Sequence, residues 1–132
     1  MIGIVVVTHG QVAEELVNAA RTIVGDIPAI VAVSIGWGDE SAAANAAIEK
    51  GLEDVGGGEA LILTDMFGGT PTNLSLPYLS SEVEIVTGVN LPMVIKASGL
   101  REGVLPHVAR EIRDQGKDAI YVASDILENK DQ

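Results

Sequence analysis

Two polar residues that end apolar runs are the first candidates for chemistry in this sequence. His9 follows the β-branched run from Ile2 to Thr8, and Asp65 follows the apolar run from Ala60 to Thr64. A carboxylate that accepts the Nδ1–H of an imidazole fixes its tautomer and leaves a free lone pair on Nε2. If the two runs form neighbouring strands, these side chains meet, and His9 becomes a candidate nucleophile, base or ligand beside an orienting carboxylate.

The segment behind Asp65 is a candidate anion site. Gly68 and Gly69 allow backbone amides to approach a ligand without interference from a Cβ atom. Thr70 is predicted to be the N-cap of a helix, with Pro71 as its first residue. Exposed amides, a hydroxyl and a helix N-terminus together bind an anion such as a phosphoryl group without any lysine. The alternative interpretation is a tight loop that leads into a helix.

Three other features have weaker functional signals. Trp37, between two glycines, is interpreted as a lid over the site, an anchor that faces a partner, or a packing residue. The segment Gly88–Met93 is either a structural turn or part of a pocket wall or dimer contact. His107 lies among Val104, Leu105 and Val108 at helical spacing, which predicts a surface or partly buried position on a helix.

The elements that must position these residues alternate along the chain. Each of the first four predicted strands is followed by helical patterning, and a fifth strand follows the last of these helices. The predicted strands are Ile2–Thr8, Ile30–Ile35, Ala60–Thr64, Val83–Thr87 and Ala119–Ala123. This alternation implies right-handed crossovers and an open, mainly parallel α/β sheet with helices on both faces. Ligands bind at the carboxyl edge of such sheets, where His9 and Asp65 are expected.

Two local predictions accompany this fold. Asp39 or Ser41 is expected to cap the helix after the second strand. The fifth strand leads into a polar tail, Glu128–Gln132, so it is expected to pair antiparallel at a sheet edge, within the chain or across a dimer.

Composition excludes several classes of function. The chain has 132 residues, a net charge of −11, only 8 Lys and Arg residues, and no cysteine. This length predicts a single domain over residues 1–132, and the charge argues against nucleic-acid binding. No signal peptide or membrane-spanning run is recognisable, so a cytoplasmic protein without membrane insertion is predicted.

A binding module of flavodoxin-like fold that holds a phosphorylated metabolite without chemistry is a competing hypothesis. A dinucleotide is disfavoured, because there is no G-x-G-x-x-G run and Gly3 lies within the first strand. A metal site built on His9 and Asp65 would need further ligands that the sequence does not offer, so no metal or other cofactor is predicted.

Three ordered motifs make the chain similar to a known family over most of its length. They are Thr8-His9-Gly10, the segment Asp65–Pro71, and the segment Gly88–Met93. Together they resemble the enzyme IIA domain of the mannose-family bacterial phosphotransferase system (PTS). The sequence departs from that pattern at Trp37-Gly38-Asp39, where many members carry Pro-Gly-Asp, and at Pro77, which should kink or shorten the third helix.

The resemblance implies a specific reaction. His9 would accept a phosphoryl group on Nε2 from the histidine phosphocarrier protein (HPr) and pass it to a IIB protein, which works with membrane components IIC and IID. Asp65 would orient His9, and Gly69 and Thr70, next to Gly68, would bind the phosphoryl group. A homodimer in which the last strand joins the partner's sheet is also implied.

A related alternative is the phosphoryl donor subunit of a phosphoenolpyruvate-dependent dihydroxyacetone kinase, which shares the fold and an N-terminal histidine. The Gly-Gly-Thr-Pro and Val-Asn-Leu-Pro-Met segments favour the mannose type. Sugar specificity is not readable, because a IIA domain touches only proteins and the phosphoryl group. A regulatory role and a role in sugar uptake are both compatible with these residues.

Overall fold

The structure is a computed structural model that describes residues 1–130. Its sheet consists of four parallel strands. The strands are β1 (Gly3–His9), β2 (Ile30–Ile35), β3 (Ala60–Thr64) and β4 (Val83–Thr87). The helices are α1 (Val12–Val24), α2 (Ser41–Asp54), α3 (Thr70–Ser75), α4 (Leu91–Ser98), α5 (Leu105–Asp118) and α6 (Ala123–Lys130), with a 3₁₀ turn at Leu76–Tyr78. None of the helices among residues 1–130 is long and apolar enough to span a membrane.

The strand order is β2-β1-β3-β4, and all three pairings are parallel. The chain adds β2 on one side of β1 and then crosses back to add β3 on the other side. This reversal creates a crevice between the carboxyl ends of β1 and β3, which is where open α/β sheets bind their ligands. The predicted parallel α/β fold is confirmed, and His9 and the residue after β3 flank this crevice.

Each face of the sheet carries its own aliphatic core, as helices on both faces require. Ile4 and Val6 of β1 point to the side covered by α1, α4 and α5. Val5 and Val7 point to the other side, which α2 covers with Ile48. Because both faces are buried, β1 reads as a continuous apolar run instead of an alternating one.

The helix boundaries correct one sequence prediction and agree with another. The N-cap of α2 is Glu40, with no side-chain capping bond, so neither Asp39 nor Ser41 caps this helix. Asp39 accepts a hydrogen bond from the amide of Gly36 instead, at 2.7 Å, and closes the preceding turn. The expected effect of Pro77 is present, because α3 stops at Ser75 and continues only as a 3₁₀ turn.

The predicted fifth strand is absent from this chain. Residues 120–122 have no regular secondary structure, and Ala123 begins α6, which continues into the polar tail that starts at Glu128. The side chains of Ile120, Tyr121 and Val122 are 75%, 68% and 64% exposed. A strand needs a paired neighbour, and among residues 1–130 this segment pairs with no strand of the sheet. The last two residues of the tail, 131–132, lie outside the described residues, and exchange between subunits stays a prediction.

Candidate functional site

His9 and Asp65 are in direct contact across the crevice between β1 and β3. His9 Nδ1 lies 2.8 Å from Asp65 Oδ2, and the His9 backbone amide donates to the same oxygen at 3.0 Å. The Met66 amide donates to Asp65 Oδ1 at 3.1 Å. The sequence predicted this contact on the condition that the two strands are neighbours. Strands β1 and β3 do pair, and the contact is present.

The hydrogen bonding of Asp65 determines the tautomer of His9. Burial raises the pKa of Asp65, but the hydrogen bonds from the backbone amide and ring of His9 lower it by more, so its pKa lies below the ordinary value. The carboxylate is then ionised near neutral pH and accepts only, which requires Nδ1 to carry the proton. Nε2 is left as the nucleophilic lone pair of the ring.

Three buried threonines hydrogen-bond the elements that carry the site residues, and sequence analysis did not predict this role for them. Thr8 Oγ1 accepts from the Ala13 amide at 2.6 Å, so a residue of β1 satisfies the start of α1. Thr64 and Thr72 pair their hydroxyls at 2.7 Å, and Thr72 donates to the Met66 carbonyl at 2.5 Å. For Thr8 and Thr64 the only signal in the sequence was a polar residue at the end of an apolar run, and Thr72 gave none.

The loop from Gly68 to Thr70 lies against the edge of the imidazole. A Cβ atom on Gly69 would sit 2.7 Å from His9 Cε1 and 3.2 Å from Nε2, closer than packed side chains permit. Gly68 has a φ of +88°, in the region that favours glycine. The N-cap of α3 is Gly69, so the prediction that Thr70 caps this helix is wrong by one residue.

The backbone amides of Gly68, Gly69 and Thr70 are available to a ligand. Within residues 1–130 these three amides donate to no protein acceptor. Pro71 has no N–H, so the free donors at the start of α3 come mainly from these residues. The loop that carries them lies beside Nε2 of His9, as the close approach of Gly69 shows.

Trp37 covers one face of the His9 ring. The two ring centroids are 5.2 Å apart, and the ring planes meet at 18°, a stacked arrangement. Trp37 itself is 84% exposed, whereas the His9 side chain is only 22% exposed. The sequence left open a lid, an anchor that faces a partner and a packing residue. The stacking is a packing contact with His9, and the exposure shows that Trp37 is not a core residue.

The remaining candidates lie outside this contact network. His107 is exposed on α5, as its helical spacing predicted. In the Gly88–Met93 segment, Asn90 caps α4 by accepting from the Met93 amide, and its side-chain amide donates to the Gly116 carbonyl at 3.1 Å. These bonds give the segment a structural function as a turn. Within residues 1–130, no group of three or more His, Cys, Asp or Glu residues is arranged to hold a metal ion.

Comparison with known proteins identifies the family. A family model described as "PTS system fructose IIA component" matches residues 3–110. The chain belongs to this PTS IIA family. It is a IIA-type phosphoryl-transfer component of the mannose/fructose group, and the resemblance seen in its motifs is confirmed.

Individual relatives of this IIA chain agree with that assignment. The fructose-specific EIIA component of Bacillus subtilis is 26% identical over 132 residues, which cover 97% of this chain and 90% of the relative. The mannose-specific EIIAB component of Escherichia coli K12 is 32% identical over 111 residues, covering 76% of this chain but only 32% of that longer protein. The mannose/sorbose-specific IIA subunit of Enterococcus faecalis has a TM-score of 0.85 at 26% identity, and the alignment covers 92% of this chain and 93% of the other.

Proposed function

We propose that His9 is the phosphorylated residue of this IIA chain, which accepts a phosphoryl group from HPr and passes it to a IIB protein. One observation carries the proposal. The ring of His9 is held by Asp65 through Nδ1, and its Cε1–Nε2 edge lies against Gly69, in the loop whose amides at Gly68, Gly69 and Thr70 bind no protein acceptor within residues 1–130. A nucleophile, its orienting carboxylate and a set of anion donors thus share one edge of the sheet.

The transfer step follows from this arrangement. The Nε2 lone pair attacks the phosphorus of the donor's phosphohistidine, an N–P bond forms, and the donor's N–P bond breaks with its electron pair returning to the donor ring. The proton on Nδ1 stays in its hydrogen bond to Asp65. The carboxylate stabilises the positive charge that develops on the ring during attack. Transfer to the IIB protein is the same step in reverse, with His9 as the leaving group.

The phosphoryl oxygens are bound by Gly68, Gly69 and Thr70 in this proposal. Hydrogen bonds between neutral donors and a charged group contribute about 1.5–3 kcal/mol each, so amides alone suffice to hold a phosphoryl group. Thr70 is exposed, and its hydroxyl is not used in capping α3, so it adds a further donor. This explains how a chain with few cations handles an anionic group.

The partner proteins are expected to present basic surfaces. Glu14 and Glu15 at the start of α1 and Asp39 and Glu40 before α2 are exposed at the same edge of the sheet as His9. Electrostatic attraction to such an acidic rim increases association rates with basic partners. HPr as donor, a IIB protein with membrane components IIC and IID as acceptor, and a cytoplasmic location are parts of the proposal supported by family membership.

A homodimer belongs to the same proposal. β4 is an edge strand of the sheet, because the order ends there. Within residues 1–130, the exposed apolar residues Ile120, Tyr121 and Val122 pair with no strand. Pairing of this segment with the edge of a second copy's sheet would cover both surfaces.

The two histidines of the chain allow a direct test. Incubation with phosphoenolpyruvate, enzyme I and HPr should produce an acid-labile, base-stable phosphoadduct in the wild type and in His107→Ala, but not in His9→Ala. Equal labelling of His9→Ala would contradict the assignment. Transfer only to a dihydroxyacetone kinase subunit, and to no IIB protein of the mannose type, would instead identify the chain as that kinase's phosphoryl donor.

A further inference from the structure

The stacked position of Trp37 bears directly on the proposed phosphorylation of His9. The indole lies over the imidazole with ring centroids 5.2 Å apart and an interplanar angle of 18°. Because Trp37 is 84% exposed, this contact is made by one face of the indole while the rest of the side chain faces solvent. Aromatic burial in the core therefore does not account for its position.

The loop that carries Trp37 is tied to the residue after His9. The Gly36 amide donates to Asp39 Oδ2 at 2.7 Å, and the Asp39 amide donates to the Gly36 carbonyl at 3.1 Å. The Gly10 amide donates to the Ile35 carbonyl at 2.8 Å, which holds the end of β2 beside the end of β1. A Cβ atom on Gly10 would lie 3.4 Å from the indole nitrogen, so the indole also lies close to the backbone of Gly10, the residue after His9.

Asp65 and Trp37 restrain different motions of the same ring. The hydrogen bond to Asp65 fixes where Nδ1 lies, but a single bond at the ring edge leaves the ring free to rock about that contact. Stacking opposes this rocking, because it favours one tilt of the ring plane. With both restraints in place, Nε2 stays directed at the loop that contains Gly69.

We propose that Trp37 is a positioning residue that holds the plane of the His9 ring and shields one face of the phosphorylated imidazole from water. The inference rests on the proposed phosphorylation of His9. In hydrolysis, a water oxygen bonds to phosphorus and the N–P bond breaks with its electron pair returning to Nε2. The protons of the water leave with the inorganic phosphate, and His9 is again neutral with its proton on Nδ1. An indole over the ring removes one side from which water reaches this group.

The test measures the lifetime of the phosphorylated protein after HPr and enzyme I have been removed. Trp37→Ala should release inorganic phosphate about threefold to tenfold faster than the wild type, and Trp37→Phe should stay within about twofold because it preserves stacking. Phe67→Ala is the matched control, since Phe67 is 73% exposed on the loop after β3 and, within residues 1–130, makes no stacking contact with His9. It should release phosphate at the wild-type rate.

A spectroscopic measurement tests the stacking itself. The carbon-bound ring protons of His9 should show an upfield ring-current shift in the wild type that is lost in Trp37→Ala and largely kept in Trp37→Phe. Melting temperatures of all variants should match the wild type, because the substituted side chains are exposed.

The outcomes separate three cases. An unchanged phosphate lifetime in Trp37→Ala overturns the inference, and if the KM for HPr rises at the same time, Trp37 is a docking residue for the partner. A lifetime shortened equally by Trp37→Phe and Trp37→Ala also overturns it, because stacking would then not be the cause. If the wild type accepts no phosphoryl group at all, the proposed function itself fails and this inference fails with it.

Discussion

Among single residues, Asp65 is the one whose chemistry is most sharply defined. An amide at this position can present its NH₂ group to Nδ1 and stabilise the wrong tautomer of His9, and it removes the negative charge that stabilises the developing imidazolium. Asp65→Asn should therefore slow phosphoryl transfer from HPr by about a hundredfold or more, by analogy with the orienting carboxylate of catalytic triads. Rapid-quench measurement of labelled protein gives this rate.

The control for this substitution is Asp26→Asn, which removes the same charge from an exposed position after α1. It should leave the transfer rate unchanged, and circular dichroism should show that both variants are folded. A wild-type rate in Asp65→Asn would mean that His9 needs no orienting partner.

The lowered pKa of Asp65 also predicts how stability depends on pH. Since the pKa is lower in the folded state, the ionised group stabilises the fold at pH values above the ordinary Asp pKa of about 3.9, and this contribution is lost as the pH falls through the folded-state pKa. The free energy of unfolding of the wild type should thus fall more steeply below about pH 4 than that of Asp65→Asn. Urea titrations between pH 7 and pH 2 measure both curves, and parallel curves would contradict the shift.

Among the elements, the loop between β3 and α3 can accept only a residue without a Cβ atom where it approaches His9, at Gly69. Gly69 has an ordinary extended backbone, φ −86° and ψ 168°. Alanine is unfavourable there because its Cβ would meet the imidazole and, at 3.3 Å, Met66 Cγ. Gly69→Ala should lower the transfer rate by about tenfold and destabilise the protein by about 1–3 kcal/mol, as overpacking does. Gly58→Ala adds its Cβ in open space and should change stability by less than about 0.5 kcal/mol.

One result with the two glycine variants would contradict the proposed role of Gly69. If Gly69→Ala transfers phosphoryl groups at the wild-type rate, the loop does not need to approach the ring as closely as the structure has it. Kinetics of phosphorylation and urea unfolding of the two glycine variants provide the comparison.

The buried threonine pair connects β3 to α3 and supports the same loop. Thr72→Val keeps the shape of the side chain but removes the donor to the Met66 carbonyl and leaves the Thr64 hydroxyl without its partner. We expect a loss of about 1–3 kcal/mol in the free energy of unfolding, the usual effect of leaving buried polar groups unpaired. Thr22→Val, at an exposed hydroxyl on α1, should change it by less than about 0.5 kcal/mol. Equal stability of the two variants in denaturant titrations would contradict this role.

For the whole molecule, the open question is its assembly. The proposed homodimer buries Ile120 and Val122, and each such side chain contributes about 1.5–3 kcal/mol when it is removed from water. Sedimentation velocity should show a dimer for the wild type and a monomer for the double variant Ile120→Asp, Val122→Asp. Ile23→Asp, at a residue 61% exposed on α1, should remain dimeric. A monomeric wild type would overturn the dimer proposal.

Much of this molecule was predictable from sequence because its strands are buried on both faces. Such strands appear as short continuous apolar runs, so four of them, and the helices between, could be recognised without tertiary information. His9 and Asp65 could be recognised as candidates because polar residues end two of these runs. The motif order then identified the family, which the comparisons confirm.

The sequence by itself determined the parallel α/β class, the polar strand ends and the glycine loop, since each depends on local pattern. Only the tertiary structure decided that β3 lies beside β1 and that Trp37 lies on His9, because residues far apart in sequence meet only through strand order and loop path. The segment from Ala119 to Ala123 also shows that a local sequence pattern does not determine which strands pair. Its apolar pattern is suited to a strand, but a strand requires a paired neighbour, and within residues 1–130 this segment pairs with no edge of the sheet.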